Sequence, residues 1–205
     1  GIVPHNKFSV KSSKSEILFV DYIANHLTSE GKAGIIVPDG VAFKQDKAFV
    51  SVRKELLENK IWGIISLPNG TFNPYAGVST YILLLDKKIA KNKDKIIMID
   101  LKNDGYSLST QRVPISGNEI PEFTDIILKF KKNNVEIKHD GVLYVEKNKI
   151  VENNYDFRFS VYQEKKTIIK NFESTEEILK NIDELDKQYY SNLKELKDFL
   201  CHIND

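Results

Sequence analysis

From Ser13 onward, apolar residues recur at helical spacing. Ile17, Phe19, Val20, Ile23, Ala24 and Leu27 follow a capping box of Ser13 and Glu16, which predicts a helix that stops at Ser29-Glu30-Gly31. The next apolar run is short. Ile35 to Val37, closed by Pro38 and Gly40, predicts a fully buried strand that empties into a loop. Residues Lys47 to Glu58 carry Phe49, Val52, Leu56 and Leu57 among charges and predict an amphipathic helix. Two further apolar runs, IWGIISLP and STYILLLDKK, flank the segment NGTFNPYAGV and read as strands. Helices alternating with nearly continuous apolar strands predict an α/β layer fold whose strands are covered on both faces.

Beyond Lys87 the pattern loosens. KKIAKNKDK reads as a charged connector, IIMIDL as a strand, and Gln111 to Glu122, with two prolines, as irregular chain. A helix is expected over Phe123 to Lys132, and DGVLYVEKNKIV suggests one or two short strands. The last part differs in character. Ser174 and Glu177 form a second capping box, followed by Ile178, Ile182, Leu185, Tyr189, Asn192, Leu196, Phe199 and Ile203 at alternating spacings of four and three. That stripe predicts a long helix with a coiled-coil seam over roughly four heptads. Such a seam is closed either by a partner helix or by docking back on its own domain. The expected division is an α/β part over 1–145 and an extension over 146–205 that ends in the heptad helix.

Composition narrows the classes. With 41% hydrophobic residues among 205, 10 Gly and 6 Pro, the chain is neither collagen-like nor wholly disordered. Cys201 is the sole cysteine, so neither a disulfide framework within the chain nor a cysteine-rich zinc site is available. His5, His26, His139 and His202 are scattered and show no metal-ligand spacing. No apolar run approaches the ~18 residues of a membrane span, and the start lacks signal-peptide regions, so a cytoplasmic protein without membrane association is expected. Lys and Arg number 30 against 29 Asp and Glu, which is not the basic excess of a protein that neutralises DNA phosphates with its own surface.

Candidate chemistry is sparse. There is no P-loop, dinucleotide fingerprint, zinc-protease motif or nucleophile elbow. Asp39 follows the Ile35 strand, where α/β sheets place ligands, yet a turn or helix cap explains it equally well. The most unusual stretch is LPNGTFNPYAGVSTYILLL, in which Phe72 and Tyr75 sit in a Gly/Pro-rich loop between two strands. Exposed there, such rings would stack on a planar ligand such as a base; buried, they would simply cover the sheet end.

At this point the residues become recognisable. GKAGIIVPDGVAF, a helix, then IISLPNGTFNPYAGVSTYILLLDK resembles the later part of the N6-adenine DNA methyltransferases, in particular the modification subunits of type I restriction-modification systems. IDLKNDGYSLSTQRVPISGNEIP and the tail, NNYDFRFSVY before a long helix, are similar to the segments that follow in that family. The resemblance implies an α/β fold, the C-terminal part of a Rossmann-like S-adenosylmethionine-dependent methyltransferase sheet with a long C-terminal helix. The strands from Ile35, Ile61 and Thr80 would be the last three of a seven-stranded sheet, the final one antiparallel. It further implies S-adenosylmethionine as cofactor, and as partners DNA, a specificity subunit and the restriction subunit of the same complex. The family's Gly-rich cofactor turn and Asn-Pro-Pro-Phe/Tyr motif are not in this sequence; by resemblance Gly1 would lie just after the latter. The chain is therefore expected to be a C-terminal piece of a DNA adenine-N6 methyltransferase, inactive by itself, with no catalytic or cofactor-binding residue of its own. Phe72 matches the family position whose ring packs on the flipped adenine, and Tyr75 is the second substrate-binding candidate. The competing reading is a non-catalytic module that docks a specificity subunit through its C-terminal helix.

Overall fold

The computed structural model describes residues 8–164 and 174–203; the opening stretch GIVPHNKFSVKSSK, polar and without a clear period, is expected to be a loop, and its residues 1–7, like the side chains of Phe199 and Ile203 in the heptad stripe, lie outside the described residues. The chain divides into two units, 1–164 and 165–205.

The first unit is built on a five-stranded sheet. Its strands are β1 (Lys32–Pro38), β2 (Ile61–Ser66), β3 (Thr80–Asp86), β4 (Lys95–Asp100) and β5 (Val142–Glu146), in the order β1-β3-β2-β4-β5. β3 runs antiparallel to both β1 and β2, and β4 is parallel to β2. Three strands thus point the same way, and β3 is antiparallel, as the resemblance implied; it is not the last strand of the sheet, because it inserts between β1 and β2, and β4 and β5, the latter antiparallel to β4, extend the sheet beyond β2. The carboxyl ends of β1, β2 and β4, Pro38, Ser66 and Asp100, share one edge of the sheet.

One face is covered by α1 (Ser15–His26) and α3 (Lys47–Asn59). Ile17, Val20 and Ala24 of the first, with Phe49, Val52, Leu56 and Leu57 of the second, bury against Ile35, Val37, Ile64, Leu83 and Met98. The other face is covered over β2, β4 and β5 by α5 (Ile120–Asn133). Phe123, Ile126 and Phe130 of that helix pack on Trp62, Ile97, Ile99 and Val142. Trp62 and Ile64 would share a face in a regular strand. A register shift between Ile61 and Gly63 puts them on opposite faces, because a bulge restarts the alternation.

Several expectations are corrected. Ser13 does not cap α1; the N-cap is Lys14, without a side-chain cap bond. The buried stripe of α1 runs through Ile17, Val20, Asp21 and Ala24, which leaves Phe19 exposed. Asp21 is tolerated inside because its carboxylate accepts from the Ser9 backbone N–H at 2.9 Å, the Ser9 hydroxyl, and Asn25 Nδ2 at 3.0 Å. β1 is not fully buried. Ile35 and Val37 face the core, while Ile36 on the opposite face is 55% exposed, because no helix in the described residues covers that end of the sheet. The charged connector holds a short helix, α4 (Lys87–Lys91), whose N-cap Asp86 accepts from the Lys88 and Ile89 N–H groups at 3.1 Å. The expected Phe123 helix begins at Ile120, with Pro121 in its first turn. DGVLYVEKNKIV forms one strand followed by α6 (Lys147–Glu152), and a last short helix, α7 (Phe159–Tyr162), follows.

The second unit contains α8 (Thr175–Ile203), a 29-residue helix. Ile178, Ile182, Leu185, Tyr189 and Leu196 of the heptad stripe are exposed, together with Leu179 and Tyr190.

Candidate nucleic-acid interface

The sheet edge carrying the carboxyl ends of β1, β2 and β4 holds the loops that contain the candidate chemistry. The Leu67–Ser79 loop leaves β2 through a closed neck, with the Leu67 N–H donating to the Thr80 carbonyl at 3.0 Å. Consecutive turns follow. Thr71 N–H and Oγ1 both donate to the Pro68 carbonyl (3.1 and 2.7 Å), Asn73 N–H to Gly70, and the Tyr75 and Ala76 N–H groups to Phe72. Gly70 adopts φ +91°, a conformation that side chains rarely adopt, so the turn needs glycine there.

This winding sets the two aromatic rings apart. Phe72 is half-buried on the loop, whereas Tyr75 is 95% exposed. A ring left so fully in water makes no contribution to the core.

Asp39 lies at the same edge. It joins β1 to the loop through its backbone, its N–H donating to the Ser79 carbonyl at 2.9 Å, and its side chain caps nothing in the short helix α2 (Gly40–Phe43) that follows. Behind it Tyr81 is buried against Ser66. Burial pushes its phenol above the ordinary range, the Ser66 hydrogen bond pulls down, and Asp39, Arg158 and Asp100 are close enough to act on it electrostatically. Arg158 itself is held by Asp156 through hydrogen bonds of 2.6, 3.0 and 3.1 Å, which raise its pKa.

A second loop, Leu101–Glu119, leaves the adjacent carboxyl end of β4 and packs beside the first. Its base is locked by Glu119, whose carboxylate accepts from the Lys102 and Asn103 N–H groups at 2.8 and 2.9 Å, and by Asn103 Nδ2 donating to Ser116 at 2.9 Å. Its middle folds as a narrow two-stranded excursion, with Ser107 N–H on Val113 and Ile115 N–H on Gly105, both at 2.8 Å. From it Arg112 donates Nη1 to the Thr71 carbonyl and Nη2 to Asp104 Oδ2, and its guanidinium lies 5.5 Å from the centroid of the Tyr106 ring. In return, Asn73 Nδ2 donates to the Leu108 carbonyl at 2.9 Å. Tyr75, Tyr106 and Arg112 thus stand on one edge, Arg112 within the stretch from Gln111 expected to be irregular and Tyr106 just before it. A lone Arg amid Ser, Thr and Gln carries no linear signal of this role.

The turn after β1 carries one glycine, Gly40, and the space beside it is taken by the Lys44 side chain, 2.8 Å from where a Cβ would stand.

An open sheet with three co-directional strands, an antiparallel strand inserted between two of them and long loops at their carboxyl ends places the chain in the α/β class of S-adenosylmethionine-dependent methyltransferases. More narrowly, the chain belongs to the N-6 DNA Methylase family, whose model matches residues 5–171. It is 33% identical over 88 residues to the EcoEI type I restriction enzyme methylase subunit of Escherichia coli, a match covering 42% of this chain and 18% of that protein. To the MpnII methylase subunit of Mycoplasma pneumoniae it is 29% identical over 152 residues, 74% of this chain and 26% of the relative. The methyltransferase subunit of a type I restriction-modification system from Streptococcus thermophilus superposes with a TM-score of 0.58 at 25% identity, covering 77% of this chain and 32% of that one. The chain thus spans about a fifth to a quarter of the length of these curated relatives.

Proposed function

We propose that this chain is the part of a type I restriction-modification methylase subunit that supplies the base-stacking loop for adenine-N6 methylation of DNA, with S-adenosylmethionine as methyl donor to the whole subunit. The observation that carries the reading is the aromatic pair at the carboxyl edge: Phe72 half-buried and fixed, and Tyr75 wholly exposed beside it, within a family of DNA N-6 methylases. An adenine cannot react at its exocyclic amine while paired, so it must leave the duplex, and it then loses its stacking neighbours. A ring held at the sheet edge returns part of that stacking. Phe72, gripped by its own turn, is the platform; Tyr75 is the outer contact. The cofactor turn and the acceptors for the amine lie outside this sequence, so no catalytic residue is assigned here.

The test is Phe72→Ala in the full-length protein that carries this sequence. Methylation should fall about tenfold to a hundredfold, as roughly 1–3 kcal/mol of base–aromatic stacking implies, with cofactor affinity kept. A wild-type rate on duplex DNA refutes the stacking role. The 205-residue chain alone should neither methylate DNA nor bind S-adenosylmethionine; micromolar binding by calorimetry would contradict this.

A second role is supported by α8, whose apolar stripe is exposed along the helix. This stripe docks a specificity subunit, and through the assembled complex a restriction subunit, in the cytoplasm where the DNA is. Here the two readings converge, since one chain serves assembly and base binding through different units.

A further inference from the structure

The contacts between the two loops are not spread evenly. They fall on the two residues that flank Phe72: the Thr71 carbonyl takes the Arg112 guanidinium, and the Asn73 side chain is tied to the Leu108 carbonyl at 2.9 Å. Phe72 is therefore suspended between two points that the second loop holds.

We propose that Arg112, braced by Asp104, is a positioning residue for base stacking, fixing the Thr71 carbonyl and thereby the angle at which the Phe72 ring meets an extruded adenine. The inference rests on the reading of Phe72 as a base platform. Three observations favour positioning over general stability. The Asp104–Arg112 pair is largely shielded, with side-chain exposures of 10% and 19%, so its geometry is stiff rather than averaged by water. The excursion that carries Arg112 buries little of its own, since Leu108, Val113 and Ile115 are all exposed, and its loss would remove little from the core. Its base is anchored independently by Asn103 and Glu119, so Arg112 is not needed to keep the loop in place. The planar fork also matters: one guanidinium reaches a carbonyl and a carboxylate at once, which the single ammonium of lysine does with poorer direction.

The experiment uses the full-length protein and a duplex carrying the site it methylates, with 2-aminopurine at the target adenine to report extrusion and stacking. Arg112→Ala should slow single-turnover methylation about tenfold and change the bound 2-aminopurine signal in the direction of Phe72→Ala. Cofactor affinity should stay within twofold and the melting temperature within a few degrees. Arg112→Lys and Asp104→Asn should fall between Arg112→Ala and wild type. Because Arg112 acts through Phe72, the double variant should be no slower than Phe72→Ala alone. A wild-type rate for Arg112→Ala beside a slow Phe72→Ala overturns the proposal and leaves the stacking role standing. So do multiplicative losses in the double variant, or a loss of rate matched by a collapse in melting temperature. A wild-type rate for Phe72→Ala overturns both.

Discussion

At the residue scale, the largest surprise is Arg53. It sits on the buried stripe of α3 with no exposed surface, and its guanidinium donates to the carbonyls of Tyr155 at 2.6 Å, Val41 at 3.0 Å and Lys44 at 2.8 Å. Burial lowers its pKa to about 10, against the attraction of Asp156, so it remains charged at neutral pH and is held by backbone oxygens. It closes the short helix after β1 and pins the turn at Asn154 and Tyr155, both at positive φ, so that Phe157 reaches the core. Arg53→Met would strand those carbonyls, each at a cost of about 1–3 kcal/mol, and should lower the unfolding free energy by roughly 3 kcal/mol or more in urea titrations. A change below about 1 kcal/mol would mean that water replaces the guanidinium. Nothing in the linear pattern distinguishes Arg53, because a charge among charges on an amphipathic helix reads as solvent-facing. Phe72 and Tyr75 were legible as unusual for the opposite reason: aromatic rings in a Gly/Pro loop break the local pattern. What their types could not tell was that one is half-buried and the other stands in water.

At the element scale, β1 shows how far periodicity reaches. A run of Ile35, Ile36 and Val37 satisfies the pattern of a strand buried on both faces, yet only alternate residues are buried, and the strand forms one edge of the sheet. Ile35→Ala should therefore cost about 2–4 kcal/mol, while Ile36→Thr, which keeps the β-branch on the open face, should cost less than about 0.5 kcal/mol. Equal losses in chemical denaturation would indicate that Ile36 is covered in solution. For α8, the heptad spacing was fully legible, and the helix forms as expected. Deleting residues 173–205 from the full-length protein should leave the melting of the α/β part unchanged and abolish co-purification with a specificity subunit; undiminished co-purification would remove the docking role from the helix.

At the scale of the whole molecule, alkaline pH probes the packing of the carboxyl edge and its surroundings. Burial raises the phenol pKa of Tyr81, Tyr144 and Tyr162 above the ordinary 10.0. The folded chain then holds those protons more tightly than the unfolded one, so their stabilisation is complete below about pH 10 and is lost as pH rises through the folded values. Arg53, Lys93 and Lys147, whose pKa values burial lowers, act in the other direction, while Lys95 and Arg158, raised by their hydrogen bonds to Glu136 and Asp156, act with the phenols. Above about pH 10 the urea midpoint of Tyr162→Phe should fall less steeply than that of the unaltered chain; identical slopes would show the Tyr162 phenol to be solvated. The near-even charge, 30 basic against 29 acidic residues, is not the excess with which a protein neutralises DNA phosphates by its own surface, and it agrees with the aromatic contact proposed above. The sequence by itself determined the helices and strands whose apolar periods run over one element, the order in which they follow, and the family through its loop residues, because these depend on neighbours along the chain. Only the tertiary structure decided that β3 inserts between β1 and β2, that β4 aligns beside β2, and that the loops after β2 and β4 consequently meet. Arg112 reaches Thr71 across 41 positions of sequence through that arrangement alone. Strand order and loop contact arise from burial shared among distant elements, and no local pattern of residues encodes them.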